Sequence, residues 1–443
     1  MKVTILASGS RGDVQPLVAL GTGLSRAGYD VTLAAPRNFA PLVAAHGLRF
    51  HGFSVDTDEL VRSELGRSWL GHSSHSPTRE MRLLRALVTE WATPMARESW
   101  ELVGTADLFI SGVMTVDVVA QLAAAGGGAH VCALLAPFHP TADGRLGVQA
   151  PLPNRVSPLN RWAGDALTWG LDRAFGPPGA ALRSLTGGDP VLGSYRRALL
   201  SAPVLLGASP LVVPRPKDWP ARVEVTGYWT LPPAPGWTPN EELVRFLDEG
   251  EIPVYLGFGS MSTHDSAGTW STIVEGLGGR RAVVHSGGAD LADAAQRHGL
   301  PDNICLAGDV PHEWLFARVR AVLHHGGAGT TAAALRAGVP SVAIPHIGDQ
   351  PFWGRRIHQL GVGPAPLRRH RLTSASLAAL LAELETGPYR SPARALEERL
   401  RGEDGITAAV GLIDRFLPGT HPNPSRRKRG ASGDHGQDDG RSR

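Results

Sequence analysis

Residues 321–356 read AVLHHGGAGTTAAALRAGVPSVAIPHIGDQPFWGRR. An apolar run ends at His324 and His325, a turn without bulky side chains follows at Gly326, Gly327 and Gly329, and Thr330 and Thr331 open an Ala-rich helix. A second apolar run, Ser341 to Ile344, closes the unit. Strand, turn, helix and strand at this spacing form a βαβ crossover, which builds a parallel sheet. The rhythm extends upstream through strand candidates at Val254 to Phe258, Ala282 to His285 and Ile304 to Ala307. It also occupies the first half of the chain. Val3 to Ala7 is a short strand, Gly9 to Pro16 a loop, and Leu17, Leu20 and Leu24 have helical spacing up to Gly28. Val31 to Ala35, Leu108 to Ser111, His130 to Leu135 and Val204 to Gly207 continue the strands. Between the halves, residues 228–240 read YWTLPPAPGWTPN, whose prolines cannot continue a helix or a central strand.

The expected architecture is therefore α/β, with two doubly wound parallel-sheet domains over residues 1–235 and 236–417. The last helix can pack back on the first domain, and residues 418–443 form a disordered tail rich in Gly, Pro, Ser and charge. At 443 residues the chain is long enough for two such domains. The tail carries a surplus of three positive charges, which is the whole formal net charge of +3. The body is therefore neutral and offers no phosphate-tracking surface, which argues against a nucleic-acid partner. No apolar stretch is long enough to span a bilayer, although Arg426 to Arg429 leave room for peripheral membrane contact. The opening MKVTILASGSRGD is too short in its apolar run for a secretory signal. Two distant cysteines, Cys132 and Cys305, point to a reducing cytoplasm rather than a disulfide framework.

Three positions carry the chemistry. Exposed amides at the helix start after Gly327 suit a diphosphate, and His325 can donate a hydrogen bond to it. The competing reading is a glycine turn that lets helix pack on sheet. The loop lacks the lysine of a P-loop, so ATPase-type chemistry is excluded. Asp349 and Gln350, at the end of the next strand-like run, offer acceptors and donors spaced for adjacent sugar hydroxyls, or else Asp349 caps a helix. In SGSRGDVQP, residues 8–16, Asp13 stands where a helix begins and can serve as a general base or as a cap. Gly9 and Gly12 do not make the dinucleotide pattern.

The stretches GSRGDVQPLVALGTGL, HHGGAGTTAAALRAGVPSVAIP and GDQPFWGRR together resemble the family 1 nucleotide-sugar glycosyltransferases. The resemblance is greatest to the branch containing sterol glucosyltransferases and actinomycete antibiotic-tailoring glycosyltransferases, and it runs over roughly residues 1–415. It implies a GT-B fold, two facing Rossmann-like domains with the acceptor on the first and the donor on the second. It also implies Asp13 as the base for an acceptor hydroxyl, with Ser10 and Arg11 beside the donor diphosphate. Ser260 in GFGSM, His325 and the amides of Gly327, Ala328, Gly329 and Thr330 would bind that diphosphate. Asp349 and Gln350 would hold the sugar. In GDVPHEWLF, Val310 would meet the base through its backbone, and His312 or Trp314 would shape the base pocket.

Two departures from plant relatives stand out. There the base is a His oriented by an Asp on a later strand, whereas here Asp13 takes its place and FISGVM supplies no carboxylate, leaving Asp117 as a distant candidate helper. The ribose-binding Glu is replaced by Ala333, so UDP and dTDP both remain as donors.

The resemblance thus implies an inverting transfer of a hexose or deoxyhexose from a UDP- or dTDP-sugar to a hydroxyl of an apolar or aromatic acceptor, a natural product or sterol-like molecule. Neither metal nor other cofactor is expected. Trp69, Trp91, Trp100, Trp162, Trp169 and Phe138 supply aromatic surface for the acceptor or for the core. A GT-B nucleotide-sugar 2-epimerase and a non-catalytic nucleotide-sugar-binding protein are the alternatives. Asp56-Thr57-Asp58 reads as a solvated turn rather than a metal site, and AAAGGGA, residues 123–129, as a helix end. His72, His75 and His139 lack a compact metal spacing.

Overall fold

The computed structural model describes residues 1–72, 77–149, 152–189, 191–257, 266–285 and 289–416. Among these residues, twelve parallel strands form two sheets. The first holds β1 (Lys2–Leu6), β2 (Asp30–Pro36), β3 (Arg49–Phe53), β4 (Leu108–Ser111), β5 (Ala129–Leu134), β6 (Val204–Leu206) and β7 (Val223–Val225), in the order β3-β2-β1-β4-β5-β6-β7. The second holds β8 (Val254–Gly257), β9 (Ala282–His285), β10 (Ile304–Ala307), β11 (Val322–His324) and β12 (Ser341–Ala343), in the order β10-β9-β8-β11-β12. Helices cover both faces, so the central strands read as continuous buried apolar runs such as Val3 to Leu6 and Leu108 to Ser111. The sequence pattern does not single out β3 and β7. Both are edge strands, short and only partly buried, and β3 mixes Arg49, His51 and Gly52 into its run.

In each sheet the strand order reverses beside the first strand, between β1 and β4 and between β8 and β11. Loops leaving the carboxyl ends of strands diverge at such a point and leave a crevice where ligands bind. The Asp13 loop follows β1 and the His325 loop follows β11, so the chemistry-bearing segments sit at the two switch points.

The first helix starts earlier than its hydrophobic spacing suggests, at Arg11 rather than Leu17, and carries Pro16 inside it. The cause is local. Ser10 in extended conformation (φ −76°, ψ 172°) opens the helix, and the Asp13 carboxylate reaches back to its amide.

The two halves share apolar packing. Phe352, Trp353 and Leu335 from the second half join one buried cluster with Phe109, Val119 and Leu134 from the first. The last described helix, Gly405–Phe416, lies against the first helix, with Ile406 beside Gly23 and Asp414 accepting from the Tyr29 hydroxyl. Cys132 and Cys305 are free and buried, and burial pushes their thiols up to about 12 and about 11. No helix among the described residues is long and apolar enough to cross a membrane. The tail 418–443 and Ser260 lie outside the described residues, as does His75.

Candidate active site

Asp13 sits at the third position of its helix and accepts two hydrogen bonds from Ser10, from the amide at 2.8 Å and the hydroxyl at 2.9 Å. Both end on Oδ2, and Oδ1 takes part in neither. The cap and the base are therefore compatible roles for one carboxylate, since each oxygen can do one job. Burial raises the Asp13 pKa, against the lowering effect of the Ser10 bonds. Gly9 makes the arrangement fit. Its φ is +115°, and a Cβ there would lie 2.5 Å from Asp13 Oδ2.

On the second sheet, β11 ends at His324 and His325 follows directly, so the two side chains point to opposite sides of the chain. His324 is fully buried, and its Nδ1 accepts the Gly326 amide at 3.1 Å, which holds the glycine turn in place. His325 emerges partly, with its ring over the turn, so a Cβ on Gly327 would overlap Nε2. Burial lowers the His325 pKa to about 4, so the ring is neutral at pH 7 and acts as a hydrogen-bond donor rather than a fixed cation. Gly326 (φ +91°) has no room for a side chain against the Gln350 carbonyl at 2.9 Å. The helix Ala328–Arg336 then begins with Gly327 as its cap and no acid in its first turn. Its leading amides at Ala328, Gly329 and Thr330 lack intrahelical acceptors, as at every helix start. Anions are favoured there.

Asp349 precedes the helix Gln350–Gln359 but makes no side-chain cap to it. Its Oδ2 instead accepts Trp353 Nε1 at 2.8 Å. Burial first, and then the nearby charge of Asp13, raise its pKa to about 6. The Asp13 carboxylate is therefore near enough for its charge to be felt at Asp349. Gln350 is turned inward. Its Oε1 accepts the amides of His346 at 2.7 Å and Ile347 at 3.1 Å, so only its nitrogen is left to donate to a ligand.

In the nucleotide-base segment, Val310 is partly buried against the second domain's core. His312 stacks on Phe316 with centroids 4.7 Å apart, and its Nε2 lies 3.4 Å from the Tyr255 hydroxyl. Its pKa falls to about 3, first through burial and then through His285, His325 and Arg11. Trp314 packs edge-on against Trp237 of the Pro-rich linker and under Arg318.

Two contacts between the halves carry no sequence signal, because their partners lie far apart in the chain. Arg11 spans the cleft, with NH1 2.7 Å from Asp309 Oδ2. Glu80, on the helix Pro77–Glu90, accepts the Gly348 amide at 2.9 Å, next to Asp349.

The other candidates take structural roles. Asp117 is 3% exposed and is held by Arg183 at 3.2 Å and Ser194 at 2.7 Å, so it is not available to help Asp13. Asp56 caps the helix Thr57–Arg62 through the amides of Asp58 and Glu59. Gly127 ends a helix in the left-handed conformation, φ +73°. His139 is buried edge-on against Trp219. Among the six aromatics, Trp91 is buried, Trp69 and Phe138 are partly buried against the core, and Trp100, Trp162 and Trp169 face outward. No group of three or more metal-ligating side chains occurs among the described residues.

Two doubly wound domains whose switch points face one cleft, one offering a carboxylate and the other an anion-binding helix start, define a group-transfer site of the GT-B class. Comparison with known proteins agrees. Residues 3–130 match the glycosyltransferase family 28 N-terminal domain, and residues 293–404 match the erythromycin biosynthesis protein CIII-like C-terminal domain. A sterol 3-beta-glucosyltransferase of Arabidopsis thaliana is 32% identical over 439 residues, covering 96% of this chain and 69% of that protein. The O-mycaminosyltylonolide 6-deoxyallosyltransferase of Streptomyces fradiae is 32% identical over 441 residues, covering 94% and 97%. Among solved structures, the glycosyltransferase of kitacinnamycin aligns with a TM-score of 0.64 at 19% identity, covering 94% of this chain and 99% of that one. The glycosyltransferase VinC in complex with dTDP aligns at 0.62 and 18%, with the same coverage. The chain belongs to the glycosyltransferase family that contains the sterol 3-beta-glucosyltransferases and the antibiotic-tailoring enzymes. It has the GT-B fold and is a transferase, which sets aside the epimerase and binding-only readings.

Proposed function

We propose that the enzyme transfers a hexose or deoxyhexose from a UDP- or dTDP-sugar to a hydroxyl of an apolar or aromatic acceptor, by one inverting displacement. The observation that supports this reading is that the Asp13 loop after β1 and the glycine loop after β11 stand at the switch points of the two sheets, with Arg11 bonded to Asp309 and Glu80 to the Gly348 amide between the halves. A base and a sugar-holding acid must meet at the anomeric carbon. The acceptor lies on the domain of residues 1–235 and the donor on that of 236–417, with the last helix returning to the first. Oδ1 of Asp13 takes the proton of the acceptor hydroxyl as its oxygen attacks the anomeric carbon. The bond to the departing diphosphate breaks on the opposite face. The amides of Gly327, Ala328, Gly329 and Thr330, together with neutral His325, receive the charge that develops there. Ser260 and Ser10 add hydroxyl contacts to the diphosphate, and Arg11 exchanges Asp309 for it. Asp349 and the free nitrogen of Gln350 hold sugar hydroxyls, and Val310 and His312 meet the base. Neither a metal nor another cofactor enters this scheme.

The relatives' names, sterol on one side and a tylonolide on the other, support an apolar acceptor. Ala333, buried at the ribose-side position, leaves the choice between UDP and dTDP to other contacts. Two buried free thiols suit a cytoplasmic enzyme. The test is a mass-spectrometric screen of UDP- and dTDP-sugars against a panel of sterol, polyketide and aromatic alcohols, with the product anomer assigned by NMR. Transfer with inverted configuration, lost in Asp13→Ala, is expected. Full transfer by Asp13→Ala removes the assignment of the base.

A further inference from the structure

The helix Pro158–Phe175 buries Leu171, Ala174 and Phe175 in the core and also carries large apolar residues on its outer face. Its buried residues include Asn160, Thr168 and Asp172, while Leu159, Trp162 and Trp169 are exposed at 57%, 67% and 39%. The buried polar groups are satisfied internally. Asn160 donates to the carbonyls of Ala142, Pro153 and Arg155 and accepts the Leu152 amide. Asp172 accepts the amides of Gly193 and Arg196, and Thr168 accepts from the Arg196 guanidinium. The helix therefore anchors itself through both polar and apolar buried side chains, and its large apolar residues Leu159, Trp162 and Trp169 are surplus to that anchoring.

Leu159, Trp162, Ala166 and Trp169 follow the i, i+3, i+7 spacing of one face, a stripe about 15 Å long. Asn160 pins the preceding loop so that Leu152 and Val156, exposed at 55% and 66%, extend it. Exposed Arg155, Arg161 and Arg173 flank the stripe. At its Val156 edge opens a cavity of about 550 Å³, lined by Arg145, Arg215, Lys217 and Arg356 among others. Asp143 pairs with Arg145 at 2.9 Å, Asp218 with Arg161 at 3.3 Å and Asp165 with Arg196 at 3.0 Å, leaving Arg155, Arg173 and Lys217 paired with no acid among the described residues.

We propose that this face docks on an anionic lipid surface, with Trp162, Leu159 and Val156 entering the headgroup boundary and Arg155, Arg173 and Lys217 meeting lipid phosphates. An in-plane helix with aromatic and leucyl residues on one side and arginines at its margins is the form that interfacial binding takes. Tryptophan favours that boundary, and each cation near it adds attraction to anionic lipid. A second copy of the chain would bring the same basic rim against itself, which charge repulsion opposes. The inference draws its purpose from the proposed apolar acceptor, which would concentrate in such a surface. The docking helix packs on the Pro77–Glu90 helix, whose Met81 lies beside Gly170 and whose Glu80 reaches the loop of Asp349.

The test needs neither donor nor acceptor, so its failure is distinct from failure of the proposed reaction. The full chain is sedimented with vesicles of phosphatidylcholine alone and of equimolar phosphatidylcholine and phosphatidylglycerol. Binding to the anionic vesicles is expected, weakened by salt and reduced at least about tenfold in the Leu159→Ser, Trp162→Ser double variant. Arg155→Glu with Lys217→Glu should weaken anionic binding while leaving the circular dichroism spectrum unchanged. The proposal is overturned by equal binding of the double variant or by no binding of the wild type. It is also overturned if deleting residues 417–443 abolishes binding with the stripe intact. A dimer in sedimentation velocity that Trp162→Ser disperses, without vesicle binding, would assign the face to a second copy instead.

Discussion

Two strand–turn–helix junctions stand on opposite walls of the cleft, built alike and charged in opposite ways. After β1 comes Gly9 with φ +115°, a Ser10 cap and a helix with Asp13 in its first turn. After β11 comes Gly326 with φ +91°, a Gly327 cap and a helix with no acid in its first turn. In the first junction the positive end of the helix is occupied by its own carboxylate. In the second it is left for an external anion. In the proposed reaction, one local backbone design would supply both halves of the transfer, and the difference rests on a few side chains. The glycine before each helix keeps the approach clear, at Gly9 for the Asp13 carboxylate itself and at Gly326 for the neighbouring Gln350 backbone.

The largest effect should come from Asp13→Asn, which keeps an oxygen for the Ser10 amide but cannot accept a proton. Turnover should fall by about a thousandfold or more while the melting temperature moves little. A variant that melts early yet turns over normally would make Asp13 a cap and nothing else. Next comes Gly329→Asp, which gives the second junction the charge of the first. A Cβ at Gly329 meets nothing within 4 Å, so the fold should tolerate it. Calorimetric affinity for UDP or dTDP should drop about ten- to hundredfold, with Gly329→Ala near wild type. Unchanged affinity in Gly329→Asp would move the diphosphate elsewhere.

A smaller effect tests the coupling between the walls. Asp349 is raised to about 6 from 3.8. The folded chain therefore holds this proton more tightly than the unfolded chain. The associated stability is present below about pH 4 and is lost as pH rises through about 6. Asp349→Asn should raise stability at about pH 8 by about 1 kcal/mol, with no gain below about pH 4, as read by thermal melts. Transfer by the wild type should decline as pH falls through about 6, where Asp349 takes up its proton. A melt difference between Asp349→Asn and wild type that does not change with pH would show that the carboxyl is not strained in this way.

The apolar runs, their glycine turns and the proline-rich break after Tyr228 carried the fold, because parallel strands buried on both faces must be continuously apolar. The same reading placed Asp13, His325, Asp349 and the glycine loop at strand ends, where an α/β sheet binds ligands. Short edge strands such as β3 escaped it because half-exposed strands tolerate charge and glycine.

What the sequence determined alone was the order of chemical groups along each strand–helix junction, since those contacts are made within a few residues. Tertiary structure alone decided which groups meet across the cleft. Arg11 finds Asp309, Glu80 finds the amide of Gly348, and the charge of Asp13 reaches Asp349 over a separation no local pattern encodes. It also decided that Asp117 faces Arg183, and that one helix turns its tryptophans outward. Packing in three dimensions chooses the partners of long side chains, and local periodicity records only their neighbours.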